Sequence, residues 1–424
     1  MPVGDDWPLQ FGPDAALAVC AQAVFSADQK PDRVAVAVSG GSDSIAVLHL
    51  MARLATHEGF ALHAVTVDHA LRSDSAAEAA WVAQICAGLA VPHQVLRWNH
   101  AAIAGNLMDA ARRARYGMMS DWAAGQNVSD VLLGHTADDQ AETFLMELAR
   151  RAGIDGLVGM QPQWQQGGVR FLRPFLTIPR AALRDYLSRQ GVGWLDDPSN
   201  DNDRFARVKA RRALAVLKPL GITVAVLGGV MANLRAAQGA VLAATRDAAA
   251  RICTERAGGV VFDRPQWAAT GAEEQRRLLV AALRWISGAG YAPRGSAVDR
   301  VLMALAKGQG ATLAGCRIRV SGNGFCVIRE PRAVAGLVAA PEQLWDGRWQ
   351  VRGPFTQGQE IRALGMAGLR QCKDWRATGY SRDALVVSPA IWYDEALIAA
   401  PLAGFPAGFD ARIVASFNQF VLSH

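Results

Sequence analysis

Ser39-Gly40-Gly41-Ser42-Asp43-Ser44 gathers three hydroxyls, two glycines and one carboxylate into consecutive positions. Residues of these types, so spaced, suit a phosphate group. The glycines let the backbone turn tightly and bring its N–H groups close to an anion. Ser39, Ser42 and Ser44 supply hydroxyl donors. A helix opening at Ser44 would add its positive dipole end. Asp43 is a hard oxygen ligand that can hold Mg2+ against phosphates. The spacing and lysine of a Walker A loop are missing. The alternative is an ordinary Gly-rich turn; the serines, the aspartate and the preceding valine run favour the phosphate site.

Three further groups carry chemistry. Val67-Asp68-His69 ends an apolar run with a carboxylate and an imidazole, which serve equally well as a turn cap and surface polar group or as ligands. Arg112 and Arg115 are three apart on one helix face, where guanidinium groups can clamp phosphate or merely be solvated. Gly134-His135-Thr136-Ala137-Asp138-Asp139-Gln140-Ala141-Glu142 puts Asp139 and Glu142 on one face of a helix start, with Asp138 suited to an N-cap. A histidine and several carboxylates beside a phosphate site go beyond capping. Downstream, Arg204, Arg207, Lys209, Arg211 and Arg212 form a basic helical segment, read as a polyanion track or as a solvated face.

These groups need a scaffold, and the first half supplies one in its periodicity. Val34–Val38 reads as a buried parallel strand, followed by a helix over Ser44–Leu54. Leu62–Val67, His93–Leu96 and Val131–Leu133 read as further strands. They alternate with helices over Ser75–Leu89, Asn106–Trp122 and from about Asp139. This pattern predicts an α/β fold, a doubly wound parallel sheet with helices on both faces and ligands at the carboxyl ends of its strands. Ser39, Asp68 and His135 fall at those ends. The pattern then changes. Asp203–Lys218, Thr223–Glu255 and Ala272–Ile286 are helical, and a hairpin joins Cys316–Val320 to Phe325–Arg329 through a Ser-Gly-Asn-Gly turn. From about Val334 short apolar runs sit among Gly, Pro and Trp. The expected domains are 1–215, catalytic; 216–332, mainly helical; and 333–424, small and β-rich.

Bulk properties agree with such a chain. Its 424 residues are 51% hydrophobic, enough for two or three cores, and its net charge of +6 fits a polyanionic partner without requiring one. Six scattered cysteines form no CxxC pair, which disfavours a zinc knuckle or an iron–sulfur cluster and predicts reduced thiols in a cytoplasmic protein. The acidic start does not read as a signal peptide. No charge-free run of about 18 apolar residues predicts a membrane span.

The Ser39–Ser44 motif resembles the SGGxDS pyrophosphate loop of N-type ATP pyrophosphatases, the PP-loop superfamily, which cleave ATP to AMP and pyrophosphate. With the Asp68, Arg112 and His135 motifs, Arg173-Pro174-Phe175-Leu176, Ile178-Pro179-Arg180 and Trp194–Asn200, the chain is similar to the tRNA(Ile)-lysidine synthase family. The similarity is dense from about Val34 to Arg212 and looser beyond, as at Arg362–Gly365. It departs at Arg207-Val208, where many members carry Arg-Asn. The resemblance implies ATP and Mg2+, L-lysine and a tRNA(Ile) with a CAU anticodon as partners, and it allows a homodimer. It implies adenylation of the wobble cytidine at its C2 oxygen, then attack of the lysine side-chain amine on C2. Asp43, Arg112, Asp139 and Glu142 would be catalytic. Ser39 to Ser44, Asp68 and His69 would bind ATP, Asp43 would hold Mg2+, and Arg204, Arg207, Lys209, Arg211 and Arg212 would bind tRNA. The alternatives are another PP-loop enzyme, such as a tRNA thiolase, or a non-catalytic nucleotide-dependent RNA-binding protein.

Overall fold

The protein is described by a computed structural model covering residues 12, 14–23, 25, 31–68, 75–98, 107–196 and 206–423. The chain divides into two compact units, Met1–Gln238 and Gly239–His424.

In the first unit, β1 (Arg33–Ala37), β2 (Ala61–Asp68), β3 (His93–Arg97), β4 (Asp130–Leu133) and β6 (Val169–Leu172) pair in parallel in the order β3-β2-β1-β4-β6. β5 (Gln163–Gln166) adds an antiparallel edge beside β6. Its polar sequence, Gln-Trp-Gln-Gln, carries no strand signal, and this edge strand was not among the strands expected. The helices are α1 (Ala15–Gln22), α2 (Ser42–Glu58), α3 (Ser75–Gly88), α4 (Leu107–Gly125), α5 (Ala137–Ala149), the short α6 (Ile154–Leu157), α7 (Arg180–Arg189), α8 (Ala206–Leu217) and α9 (Val224–Ile252).

The alternation of β1 sorts the two faces. Val34, Val36 and Val38 pack in one core with Ile45, Leu48 and Met51 of α2, Val82 of α3 and Leu183 of α7. Ala35 and Ala37 face the other core, where their small side chains leave room for Tyr116, Met119 and Trp122 of α4. Both faces are covered, which is why β1 reads as an unbroken apolar run. Each Leu or Ile fully buried in these layers contributes about 1.5–3 kcal/mol. The strand order reverses between β1 and β4, since β2 and β3 lie to one side of β1 and β4 to the other. Such a switch point opens a crevice at the strands' carboxyl ends.

By length and composition α9 would pass for a membrane-crossing helix, with a mean hydropathy of 1.3. Its Leu227 and Met231 instead join Ala141 and Phe144 of α5 in a small core, and its Arg235 donates to Val158 O at 2.7 Å.

The second unit holds an antiparallel sheet, ordered β7-β8-β11-β10-β9, of β7 (Cys253–Arg256), β8 (Gly259–Asp263), β9 (Ala311–Leu313), β10 (Cys316–Ser321) and β11 (Gly324–Arg329). The expected hairpin is β10–β11; β7, β8 and β9 extend it. The helical run predicted to Glu255 stops at Ile252, where β7 begins. The helices α10 (Arg264–Ala268), α11 (Ala272–Ser287) and α12 (Gly295–Ala306) share a core with this sheet. Beyond it, β12 (Trp349–Arg352) pairs with β16 (Asp410–Ile413), and β13 (Gln359–Ala363), β14 (Pro389–Tyr393) and β15 (Ala396–Ala399) form a three-stranded sheet. A Trp345, Trp349 and Ile361 core supports these strands.

Candidate functional site

The loop leaving β1 turns at Gly40, whose φ of +89° lies in the region that glycine enters without strain. Ser44 braces the loop: its Oγ donates to Gly41 O at 3.0 Å, and the Ser39 N–H donates to that Oγ at 3.1 Å. Gly41 is the N-cap of α2, so Ser42 and Asp43 sit in the first helical turn, two residues earlier than the sequence pattern suggested. First-turn N–H groups, which have no acceptor within the helix, and the positive helix end lie there, the elements of an anion site.

β4 leaves the sheet directly against this turn. A Cβ on Gly134 would lie 2.8 Å from Asp43 C and from Ser44 N. The chain then enters α5 through a capping box: Asp139 Oδ2 accepts the Thr136 N–H and hydroxyl, each at 2.9 Å. That leaves Asp139 Oδ1 facing the crevice. Glu142 follows three residues on, along the same helix face.

Arg180 joins these parts. Its Nε donates to Asp43 Oδ2 at 2.8 Å and its Nη2 to Asp139 Oδ1 at 3.1 Å, while Nη1 lies 3.6 Å from Glu142 Oε1. The backbone N–H of Arg180 donates to Asp138 Oδ2 at 2.7 Å. Arg180 is the first residue of α7, where a cation opposes the helix dipole. The carboxylates offset that cost and hold the guanidinium above its ordinary value despite burial. Burial raises the Asp43 carboxyl, with Arg180 pulling the other way. Burial also acts to raise Asp139, but Arg180 and its other partners bring it below the usual range.

The basic helix α8 packs on α5 with Arg207 and Arg211, four residues apart, facing the carboxylates. Arg211 Nε donates to Glu142 Oε1 at 2.9 Å, and Arg207 Nη1 lies 4.0 Å from Asp139 Oδ1. Lys209 and Arg212 are exposed on the rest of the helix. Val208, at the position of the departure noted above, is buried. Glu142 is itself only 1% exposed, and its Oε2 has no hydrogen-bond partner among the described residues.

Guanidinium groups also gather around His135, on which the Asp139 carboxylate acts as well. Arg173 Nε donates to His135 Nδ1 at 3.2 Å. Arg112 and Arg207 are near enough to act on the charge of both Arg115 and Arg173. Burial lowers both Arg115 and Arg173 from the ordinary guanidinium value. His135 is pushed down to about 3, first by burial and then by Arg173, so it is a neutral imidazole. The site therefore combines carboxylates around Arg180 with guanidinium groups around a neutral imidazole, and Arg207 acts on both Asp139 and His135.

The fold thus brings Asp43, Asp139 and Glu142 together with Arg207 and Arg211. Arg112 is exposed, 5.4 Å from the Tyr116 ring centroid, and its charge acts on Arg115 and Arg173. Asp68 is buried at the end of β2, 3.6 Å from Arg97 Nε. His69 and Arg204 lie outside the described residues. Two residues were not singled out from their types and spacing: Arg173 and Arg180. Each sits beside a proline, Arg173 just after β6 and Arg180 at the start of α7. The signal for Arg180 is its basic charge at a helix start, where an acidic residue is the rule.

The sequence model of one protein family, the PP-loop domain, matches residues 17–217. A curated protein of Ruegeria pomeroyi, named tRNA(Ile)-lysidine synthase, is 47% identical over 407 residues, covering 95% of this chain and 97% of that protein. A protein of the same name from Hyphomonas neptunium is 39% identical over 346 residues, covering 77% of this chain and 92% of that one. A third, from Rhizobium meliloti, is 34% identical and covers 76% of this chain and 74% of its own. The chain belongs to the tRNA(Ile)-lysidine synthase family.

Proposed function

We propose that this chain is an ATP-dependent ligase that joins L-lysine to C2 of the wobble cytidine of tRNA(Ile) with a CAU anticodon. The observation that carries the lysine half is Glu142 Oε2, a buried carboxylate oxygen without a partner among the described residues. Leaving such an oxygen unpaired is costly, and a cationic ligand relieves the cost. It lies in a site whose other carboxylates already hold a cation, the Arg180 guanidinium. The side-chain ammonium of lysine matches that environment.

The reaction divides between the phosphate loop with the guanidinium groups and the carboxylates. The C2 oxygen attacks the α-phosphorus of ATP, and pyrophosphate leaves toward the Ser39–Ser44 loop and the start of α2. Arg112 and its neighbouring guanidinium groups add positive charge where phosphoryl charge builds, which is electrostatic catalysis. The lysine amine then forms the bond to C2, and AMP departs with the former C2 oxygen. A neighbouring carboxylate favours the charged ammonium, whereas attack needs the free amine. Asp139 and Glu142 therefore bind the cation first and take its proton as the bond forms.

Asp43 is the residue that would hold Mg2+. It is a hard oxygen donor at the phosphate loop, already engaged by a cationic group. No cluster of three or more metal-ligating side chains exists among the described residues, so ATP phosphates and water would complete the shell. When bound, the ion supplies charge neutralisation for the leaving pyrophosphate. The parts following residues 216 and 333 would hold the tRNA body, a role suited to the cytoplasm. The cysteines do not favour sulfur relay: burial pushes Cys86 up to about 11 and both Cys253 and Cys316 up to about 12, which leaves little thiolate.

The test is incorporation of labelled lysine into unmodified tRNA(Ile) bearing CAU, with ATP and Mg2+, beside Asp43→Ala. Incorporation that requires ATP and falls by about a hundredfold or more in the variant is expected. Release of AMP without incorporation would point to another nucleophile, and no AMP would overturn the ligase reading.

A further inference from the structure

We infer that Arg173 is a positioning residue that fixes His135 in its Nε2–H tautomer, so that His135 meets a phosphoryl oxygen of the nucleotide substrate as a hydrogen-bond donor. The inference deepens the ligase reading and rests on it for the identity of the substrate.

A guanidinium group has five N–H donors and no acceptor. Arg173 Nε lies 3.2 Å from His135 Nδ1 in donor geometry, so Nδ1 must supply the lone pair and the ring proton resides on Nε2. Arg173 has little freedom to do otherwise. It is 6% exposed, its guanidinium stacks 4.0 Å from the Trp164 ring centroid, and its Nη1 donates to Gln161 O at 2.5 Å. Its backbone N–H donates to Pro162 O at 2.8 Å. Trp164 is itself stacked on Phe171, with ring centroids 5.0 Å apart. The second nitrogen of His135 is the one left for a ligand.

The surroundings select what that nitrogen meets. The charged groups acting on His135 are Arg173 beyond β6, Arg115 on α4, Arg207 on α8 and Asp139 on α5. Three guanidinium groups against one carboxylate favour an anionic oxygen. Burial beside Arg173 keeps the ring neutral, so its single N–H is the only proton it offers. With Nδ1 covered, His135 has no lone pair for the lysine ammonium, and proton removal is left to the carboxylates.

Two measurements on the full-length protein test this. In protein labelled with 15N in its eight histidines, His135 is assigned by loss of its signals in His135→Gln. The expected spectrum shows a bare Nδ1 and a protonated Nε2, and in Arg173→Met the ring loses that preference. The second measurement compares AMP release on addition of tRNA and ATP. The amide of His135→Gln places an N–H near the Nε2 position, and that of His135→Asn near Nδ1. Gln is expected to lower the rate by less than about tenfold, and Asn by about a hundredfold or more, the usual cost of one lost donor to a developing charge. A wild-type ring protonated at Nδ1, or an Asn variant as active as the Gln variant, would overturn the inference. Wild-type protein that releases no AMP would instead defeat the ligase reading and with it the phosphoryl acceptor, while the spectrum would still decide the Arg173–His135 relationship.

Discussion

Gly134 lies against the peptide of Asp43, so close that a Cβ on Gly134 would stand 2.8 Å from the Asp43 carbonyl carbon. The segment leaving β4 thus lies against the backbone of the first turn of α2, and the obstacle is peptide, which cannot swing aside as a side chain can. Gly134→Ala should therefore destabilise the fold by about 1–3 kcal/mol and displace the first turn of α2. Thermal unfolding and calorimetric ATP binding check this together. An unchanged melting temperature with normal ATP affinity would disprove it.

Glu142→Gln should separate the two half-reactions. The amide keeps the shape and still accepts from Arg211, but it neither attracts an ammonium nor takes its proton. AMP release on tRNA addition should persist, while lysine transfer falls by about a hundredfold. Equal loss of both steps would place Glu142 in adenylation instead.

Arg211 and Arg212 are neighbours in sequence with different expected consequences. Arg211 donates to Glu142, whereas Arg212 and Lys209 are exposed. If the exposed pair meets tRNA phosphates, Lys209→Gln and Arg212→Gln should each flatten the salt dependence of tRNA binding by about 0.7–0.9 in logarithmic slope. Arg211→Gln should leave that slope unchanged and raise the KM for lysine. Filter binding across a salt series, with lysine kinetics beside it, distinguishes the two.

His135 should leave a mark on stability. Its pKa is near 6.5 in free form and about 3 here, so between those values the unfolded chain binds a proton that the folded chain refuses. Stability from this group is therefore complete above about pH 6.5 and is lost as pH falls, by up to about 1.4 kcal/mol per pH unit. Urea unfolding of the wild type and of His135→Gln should diverge in slope over that window. Parallel curves would show that the imidazole titrates freely.

The catalytic half of this molecule is legible because several signals coincide there. The valines of β1 are buried on one face and its alanines on the other, so the strand could be read without knowing its neighbours. The glycines, serines and aspartate that follow are demanded by the turn itself. Arg173 and Arg180 were hard to read because their partners lie 38 and 137 residues away, at His135 and Asp43. No local period encodes such a pairing. The same holds for Arg207 and Arg211: their charge suggested an RNA track, and only the packing of α8 on α5 turns them toward carboxylates. β7 and β9 escaped notice because they are three or four residues long and contain no buried residue, so no apolar alternation marks them.

Asp139 gives one oxygen to the start of α5 and the other to the crevice. Its two duties are pleiotropic. A substitution that abolishes chemistry at Oδ1 also unpins the helix that carries Glu142, so a dead variant at this position reports on architecture as much as on mechanism. The same sharing narrows the routes open to drift. A lineage that gave up this carboxylate would need a new helix start and a new acid at once, and two simultaneous replacements are far rarer than one.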